Sequence, residues 1–231
     1  MSDSKIIVAL DFPDEASTME LVDRINPELC RLKVGKELFT RCGPDLVRKL
    51  VNKDYDVFLD LKYHDIPNTV ANACKAAADL GVWMMNVHAL GGPVMLAAAR
   101  NALSDSDAPM LIAVTVLTSS SEEDLKAVGI NMATEEMVKR LASLAKQQGL
   151  DGVVCSAREA SELKSSLGHD FILVTPGIRL PTDDAGDQKR IVTPADAVRQ
   201  GSDYLVIGRP ITQADDPVQK LLTVNSEISQ L

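Results

Sequence analysis

Eight short apolar runs recur along the chain, each of strand length and each followed by a polar or helically patterned segment. They are KIIVALD (5–11), CRLKVG (30–35), DVFLDLK (56–62), WMMNVHA (83–89), MLIAVTVLT (110–118), GVVCS (152–156), FILVT (171–175) and DYLVIGR (203–209). Most place Val, Ile or Leu on consecutive positions, as strands covered on both faces do. Between them, PDEASTMELVDRI carries acids in its first turn, and KELFTRCGPDLVRKLVN keeps helical spacing across an internal Gly-Pro. PNTVANACKAAADLG opens on proline and closes on glycine, the asymmetry expected of a helix. TEEMVKRLASLAKQQG is expected to start on a Thr134 cap. TPADAVRQG predicts Thr193 as N-cap, Pro194 at the first helical position and Asp196 in the first turn.

Eight evenly spaced βα units without a linker predict an α/β fold, a single-domain (β/α)8 TIM barrel over residues 1–231. An open doubly wound sheet is the alternative, but the even spacing favours closure, and no GxGxxG follows the first run. Only GIRLPTDDAGDQKR, residues 177–190, reads as a long loop, and a stretch of that kind in a compact domain is expected to be a mobile lid.

Composition changes this picture little. Hydrophobic residues make up 45% and charged residues 25% of the 231 positions, ordinary for a globular protein. The net charge of −9 argues against nucleic acid or an anionic membrane as partner, since either needs a basic face. A small anion is still compatible, because a few local basic residues suffice for a pocket. Cys30, Cys42, Cys74 and Cys155 form no CxxC pair, which fits free thiols in a reducing cytosol. The opening MSDSKIIVALDF has too short an apolar run for a signal peptide, and no segment is long enough to span a membrane. A cytoplasmic location is therefore expected.

In a barrel of this kind the chemistry sits at the C-terminal strand ends. Polar residues gather there: Asp11, Lys33, Asp60 with Lys62, His88, Thr118 and Arg209. Along DVFLDLK, alternation puts Leu59 and Leu61 on one face and Asp60 and Lys62 on the other, towards the mouth. Asp65 lies past the run, so periodicity does not orient it. Each residue also has a structural reading: Asp11 as a helix cap, Lys33 as a snorkelling stem, His88 as a hydrogen-bonded core histidine. His64 and His169 read as loop or surface residues. That these separate runs all end in polar groups nevertheless points to one shared pocket. TPGIR after the seventh run and IGRPI after the eighth add a phosphate site, where glycine lets backbone N–H groups approach and Arg179 and Arg209 offer forked donors.

The run DLKYHDIPNT, with its DxKxxD core, resembles the signature of the orotidine 5'-phosphate decarboxylase family. The similarity extends to ALDFP, LKVGKELF, TPGIR, DAGDQKR and IGRPI, and so covers essentially the whole chain. It implies conversion of orotidine 5'-monophosphate to uridine 5'-monophosphate and CO2, the last step of pyrimidine nucleotide synthesis. It further implies no metal, no cofactor, and a homodimer with shared active sites. Carried over by position, Lys62 is the proton donor to C6, Asp60 lies beside the substrate carboxylate, and Lys33 completes the charged array and contacts ribose. Asp65, Ile66 and Thr69 reach into the partner's site, where Asp65 joins the array. Asp11 binds a ribose hydroxyl, Thr118 contacts the base, and Gln188 bridges base and phosphate. Pro176, Arg179, Arg209 and the Gly208 backbone complete the substrate contacts, with the lid over the phosphate.

That assignment explains why carboxylates flank a lysine. Losing CO2 from C6 leaves an in-plane anion that no π system delocalises; a fixed ammonium stabilises it and then protonates it. Asp60 can also repel the substrate carboxylate. Enzymes lower barriers by about 8–23 kcal/mol, and this reaction needs the upper part of that range, so lid closure and phosphate binding must contribute. Two rivals stand beside it. One is a metal-dependent phosphosugar decarboxylase or aldolase using the DxKxxD acids as magnesium ligands; the other is a non-catalytic barrel.

Overall fold

Each apolar run forms one strand, and the eight strands close on themselves. The structure, a computed structural model, describes residues 4–103, 107–180 and 192–230. β1 (Ile6–Ala9), β2 (Arg31–Gly35), β3 (Val57–Tyr63), β4 (Met84–His88), β5 (Met110–Val114), β6 (Gly152–Val154), β7 (Ile172–Thr175) and β8 (Tyr204–Ile207) pair in chain order. All pairs are parallel, and β8 returns to β1 through Ile6↔Leu205 to Val8↔Ile207. Closure removes the open-sheet alternative. The helices are α1 (Glu15–Val22), α2 (Lys36–Val51), α3 (Pro67–Ala78), α4 (Gly92–Asn101), α5 (Glu122–Ala127), α6 (Thr134–Gln147), α7 (Ala160–Leu167), α8 (Pro194–Arg199), α9 (Arg209–Thr212) and α10 (Pro217–Ser229).

The period of two sorts the strand residues into two cores. Outward residues such as Ile6, Val8, Leu32, Val34 and Leu59 pack with Leu38, Leu46, Leu50 and Leu141 of the surrounding helices. Inward residues Ile7, Phe58, Met84, Ile112 and Val174 fill the barrel. Gly152 is there for space: a Cβ would lie 2.2 Å from the Ile172 carbonyl oxygen.

Most local expectations hold. Glu15 lies in the first turn of α1, where Asp14 also accepts the Ser17 N–H as N-cap, and Thr193 accepts the Asp196 N–H ahead of Pro194 in α8. The Gly-Pro inside α2 is a kink, with Gly43 at φ 69°, a conformation glycine adopts without a Cβ penalty. Two expectations fail. Thr134 is the first residue of α6 rather than its cap; Ala133 holds that place without a side-chain bond. The run 110–118 stops being a strand at Val114, because the chain turns across the barrel mouth and closes a turn from Ser120 N–H to the Leu117 carbonyl. All four cysteines are free thiols, with Cys30, Cys74 and Cys155 buried. Among the described residues no helix is long and apolar enough to cross a membrane.

Candidate active site

At the C-terminal end of the barrel lies a cavity of about 410 Å³, within the usual range for a small-ligand site. Its apolar lining comes from inward strand positions and the loop after β5: Ala9, Phe58, Val114, Val154, Val206 and Val116. Onto it project Asp11, Lys33, Asp60, Lys62 and Thr118, then Pro176, Gly177, Arg179, Gly208 and Arg209 from the segments after β7 and β8. These include nine of the residues expected from sequence.

Four of them form a row of alternating charge. Lys33 Nζ lies 3.4 Å from Asp11 Oδ1 and 3.5 Å from Asp60 Oδ2, and Lys62 Nζ donates to Asp60 Oδ1 at 2.5 Å. The row grades from wet to dry. Asp11 is exposed, whereas Asp60 and Lys33 keep only 13% and 10% of their side-chain surface. Burial alone pushes the Asp60 carboxyl up, but the Lys33 and Lys62 charges, with hydrogen bonds from Lys62 and Asn86, overcome it and hold Asp60 below its ordinary value. A glycine at position 35 leaves room for this row, since a Cβ there would sit 3.1 Å from Lys33 Nζ.

Lys62 reaches the cavity by an irregular route. Pairing between β3 and β4 jumps from Leu59↔Met85 to Tyr63↔Val87, and Lys62 has φ 53°. The bulge adds two residues to β3, an even number, so Asp60 and Lys62 keep the same face as simple alternation requires.

The remaining expected residues fall elsewhere. Asp65, Ile66 and Thr69 are exposed and do not line this cavity; Asp65 Oδ1 accepts the Ile66 N–H just before α3. Gln188 and most of the expected lid lie outside the described residues, of which Gly177–Leu180 are the described part. Arg179 is buried, and its N–H bonds the Val192 carbonyl across an isolated bridge from Ile178 to Val192. His88 is off the cavity, facing His64 with ring centroids 5.6 Å apart. Burial, assisted by His64, Lys36 and Lys62, brings it down to about 4 despite Asp60, so it is neutral at pH 7. Its buried Nδ1 finds no hydrogen-bond partner among the described residues. His64 and His169 are exposed, as expected.

Sequence reasoning missed Asn86 and Gln213. Asn86 is fully buried and bonds both Asp60 and Lys62; a lone amide inside WMMNVHA was the available signal. Gln213 lines the cavity at the end of α9, and nothing in ITQADD distinguishes it.

Relatives carry the same architecture. Proteins named orotidine 5'-phosphate decarboxylase from Pseudoalteromonas atlantica and Shewanella sediminis are 60% and 59% identical, covering 99% of this chain and 100% and 99% of theirs. The crystal structure of orotidine 5'-phosphate decarboxylase from Lactobacillus acidophilus superposes with a TM-score of 0.86 at 40% identity, covering 96% of this chain and 98% of that one. The model of the orotidine 5'-phosphate decarboxylase / HUMPS family matches residues 4–224, and the chain belongs to that family.

Proposed function

We propose that this barrel decarboxylates orotidine 5'-monophosphate to uridine 5'-monophosphate and CO2, the last step of UMP synthesis. The observation that carries the reading is the row Asp11–Lys33–Asp60–Lys62 beside an apolar floor and two arginine-bearing loops. In this reading the C6–carboxylate bond breaks heterolytically, its electron pair stays on C6, and CO2 leaves. The Lys62 ammonium stabilises that charge and transfers a proton to C6; water then reprotonates the amine. Asp60 aims Lys62 and faces the departing carboxylate. Lys33 and Asp11 hold the ribose, Thr118 the base, and Arg179, Arg209 and the Gly208 backbone the phosphate, with Gln188 bridging base and phosphate and Pro176 a further substrate contact. The segment 177–190 serves as the phosphate-binding lid. The direct test is loss of orotidine 5'-monophosphate absorbance in the presence of a chelator. No turnover would reject the reading; abolition by chelator would favour the metal-dependent phosphosugar alternative, which the relatives do not support.

The finer part of the proposal is a cytoplasmic homodimer in which Asp65, Ile66 and Thr69 complete the partner's site. Their exposure outside their own cavity supports it. So do Ile66, Leu90 and Val94, which are 67%, 46% and 70% exposed on the adjoining segments around α3 and α4. Mixing Asp65→Asn chains with Lys62→Ala chains tests it. Random exchange makes about half the dimers mixed, each with one intact site, so activity recovers towards about a quarter of wild type if the site is shared. Verified exchange with no recovery would place Asp65 in its own chain's site.

A further inference from the structure

A fully buried amide in an apolar strand needs a reason, because leaving one unpaired there is costly. Asn86 sits two residues beyond Met84 on the inward face of β4, beside Ile112 of β5. An aliphatic side chain would fill that place at no polar cost. Both ends of its amide instead bond one neighbour strand. Nδ2 donates to Asp60 Oδ1 at 2.7 Å, and Oδ1 accepts the Lys62 backbone N–H at 2.7 Å. One side chain thus offers a donor to a carboxylate and an acceptor to a peptide group two residues on. An amide presents the two from separate atoms, and only one orientation of it fits, since the flipped form would set NH2 against N–H.

The place where this happens is the bulge. The Lys62 backbone is in the left-handed region, which is unfavourable for a residue other than glycine. Strand pairing skips the residues between Leu59 and Tyr63, and the Asn86 carbonyl stands in for the missing ladder partner of Lys62. The same amide occupies one lone pair of the oxygen that holds the Lys62 ammonium, which fixes the carboxylate's rotation.

We infer that Asn86 is a positioning residue that locks the Asp60 carboxylate and the bulged Lys62 backbone together, so that ammonium and carboxylate meet the cavity in one fixed geometry. The inference rests on the reading of Asp60 and Lys62 as the reacting pair. Asn86 does not line the cavity; it acts through both of them. Removing it frees the bulge to relax and the ammonium to wander, and a displacement of about 1 Å can cost about 10²-fold in rate.

Two variants test this. Asn86→Ala should lower kcat about 10²-fold while UMP affinity, set at the phosphate end, changes less than about threefold. Asn86→Asp keeps the acceptor for Lys62 but turns the donor into a carboxyl facing Asp60. Two carboxylates at this distance share a proton, and while the introduced group is protonated it donates to Asp60 and both bonds return. The ratio of its kcat to that of wild type should therefore rise as pH falls. Unchanged kcat in Asn86→Ala would overturn the assignment, as would equal losses in kcat and UMP affinity. A pH-independent ratio for Asn86→Asp would overturn it too, and decides alone if Asn86→Ala is not recovered folded. If neither variant folds, the amide is a structural requirement of the barrel and the assignment falls. Wild type is the control: an inactive wild type rejects the decarboxylase reading itself, whereas an active one with unaffected variants rejects only the role of Asn86.

Discussion

Both ends of the barrel bury cations, and they use them in opposite ways. At the N-terminal end, the Arg31 guanidinium lies 4.5 Å from the Trp83 ring centroid and 5.0 Å from that of Tyr204. It also pairs with Asp56 at 3.2 Å and donates to the Ser4 carbonyl. Nearby in the fold, Lys164 donates to the carbonyls of His169 and Phe171 and to Asp203 Oδ2, so each of its three N–H groups has a fixed acceptor. At the C-terminal end, Lys62 Nζ makes one hydrogen bond, to Asp60, among the described residues, and its remaining N–H groups are available to the cavity. On β2 the contrast spans two residues, Arg31 at the closed end and Lys33 at the open one, on the same inward face. A buried cation is therefore no sign of chemistry by itself. A cation with unsaturated donors, beside a cavity and a fixed carboxylate, is.

The contrast predicts which end controls rate and which controls stability. The largest effect is expected for Lys62→Ala. In the proposed mechanism it removes both the charge and the proton that the C6 anion needs, so kcat should fall by at least about 10⁴-fold, while the urea midpoint should change little because Asp60 keeps Lys33 and Asn86 as partners. Near-normal turnover would remove Lys62 from the mechanism.

Lys164→Ala should behave in the reverse sense. It strands two carbonyls and the Asp203 carboxylate, with an expected cost of about 3 kcal/mol, the low end for breaking a buried pair because Asp203 is partly exposed. Denaturant unfolding measures this directly, and kcat at a temperature where the protein is folded should match wild type. A catalytic defect without a stability defect would break the distinction between the ends.

Arg209→Ala sharpens the picture within the mouth. Arg209 is exposed at the mouth, so in the proposed phosphate role its contribution to binding UMP should be about 2 kcal/mol, the lower end for a charged pair. Uridine should lose almost nothing. Equal losses for nucleotide and nucleoside would argue against the phosphate role.

The smallest effect concerns His88. Its folded value, about 4, lies below the ordinary 6.5, with burial the main cause and His64, Lys36 and Lys62 adding to it. The unfolded chain therefore binds the proton more readily, and the stability that His88 contributes is complete above about pH 6.5. It is lost as pH falls towards 4. His88→Gln should flatten the urea-midpoint profile across that window. An unchanged slope would show that other groups set the acid sensitivity.

The fold and most of the candidate site were legible along the chain. Strands buried on both faces must be apolar at successive positions, so the eight runs and their parallel closure could be read directly, as could Asp60 and Lys62 at the end of one of them. The terminal glycines and arginines of TPGIR and IGRPI were legible for the same reason: position in the barrel order makes the last two loops neighbours. Helix starts were less secure. Thr134 has the right residue type for a cap but sits one position inside α6, because capping depends on backbone angles that residue type only biases.

Tertiary structure alone decided the rest. Alternation along β3 says which face Lys62 occupies, but not that its backbone turns left-handed or that Asn86 of another strand supplies its hydrogen bond. Nor does it say that Asp65 is exposed and does not line its own chain's cavity. Periodicity is a property of each residue and its chain neighbours, so the sequence by itself determined strands, order and the chemistry available at the barrel mouth. Register, bulge and ion-pair row depend on distances between residues remote in sequence, and those exist only once the barrel has closed.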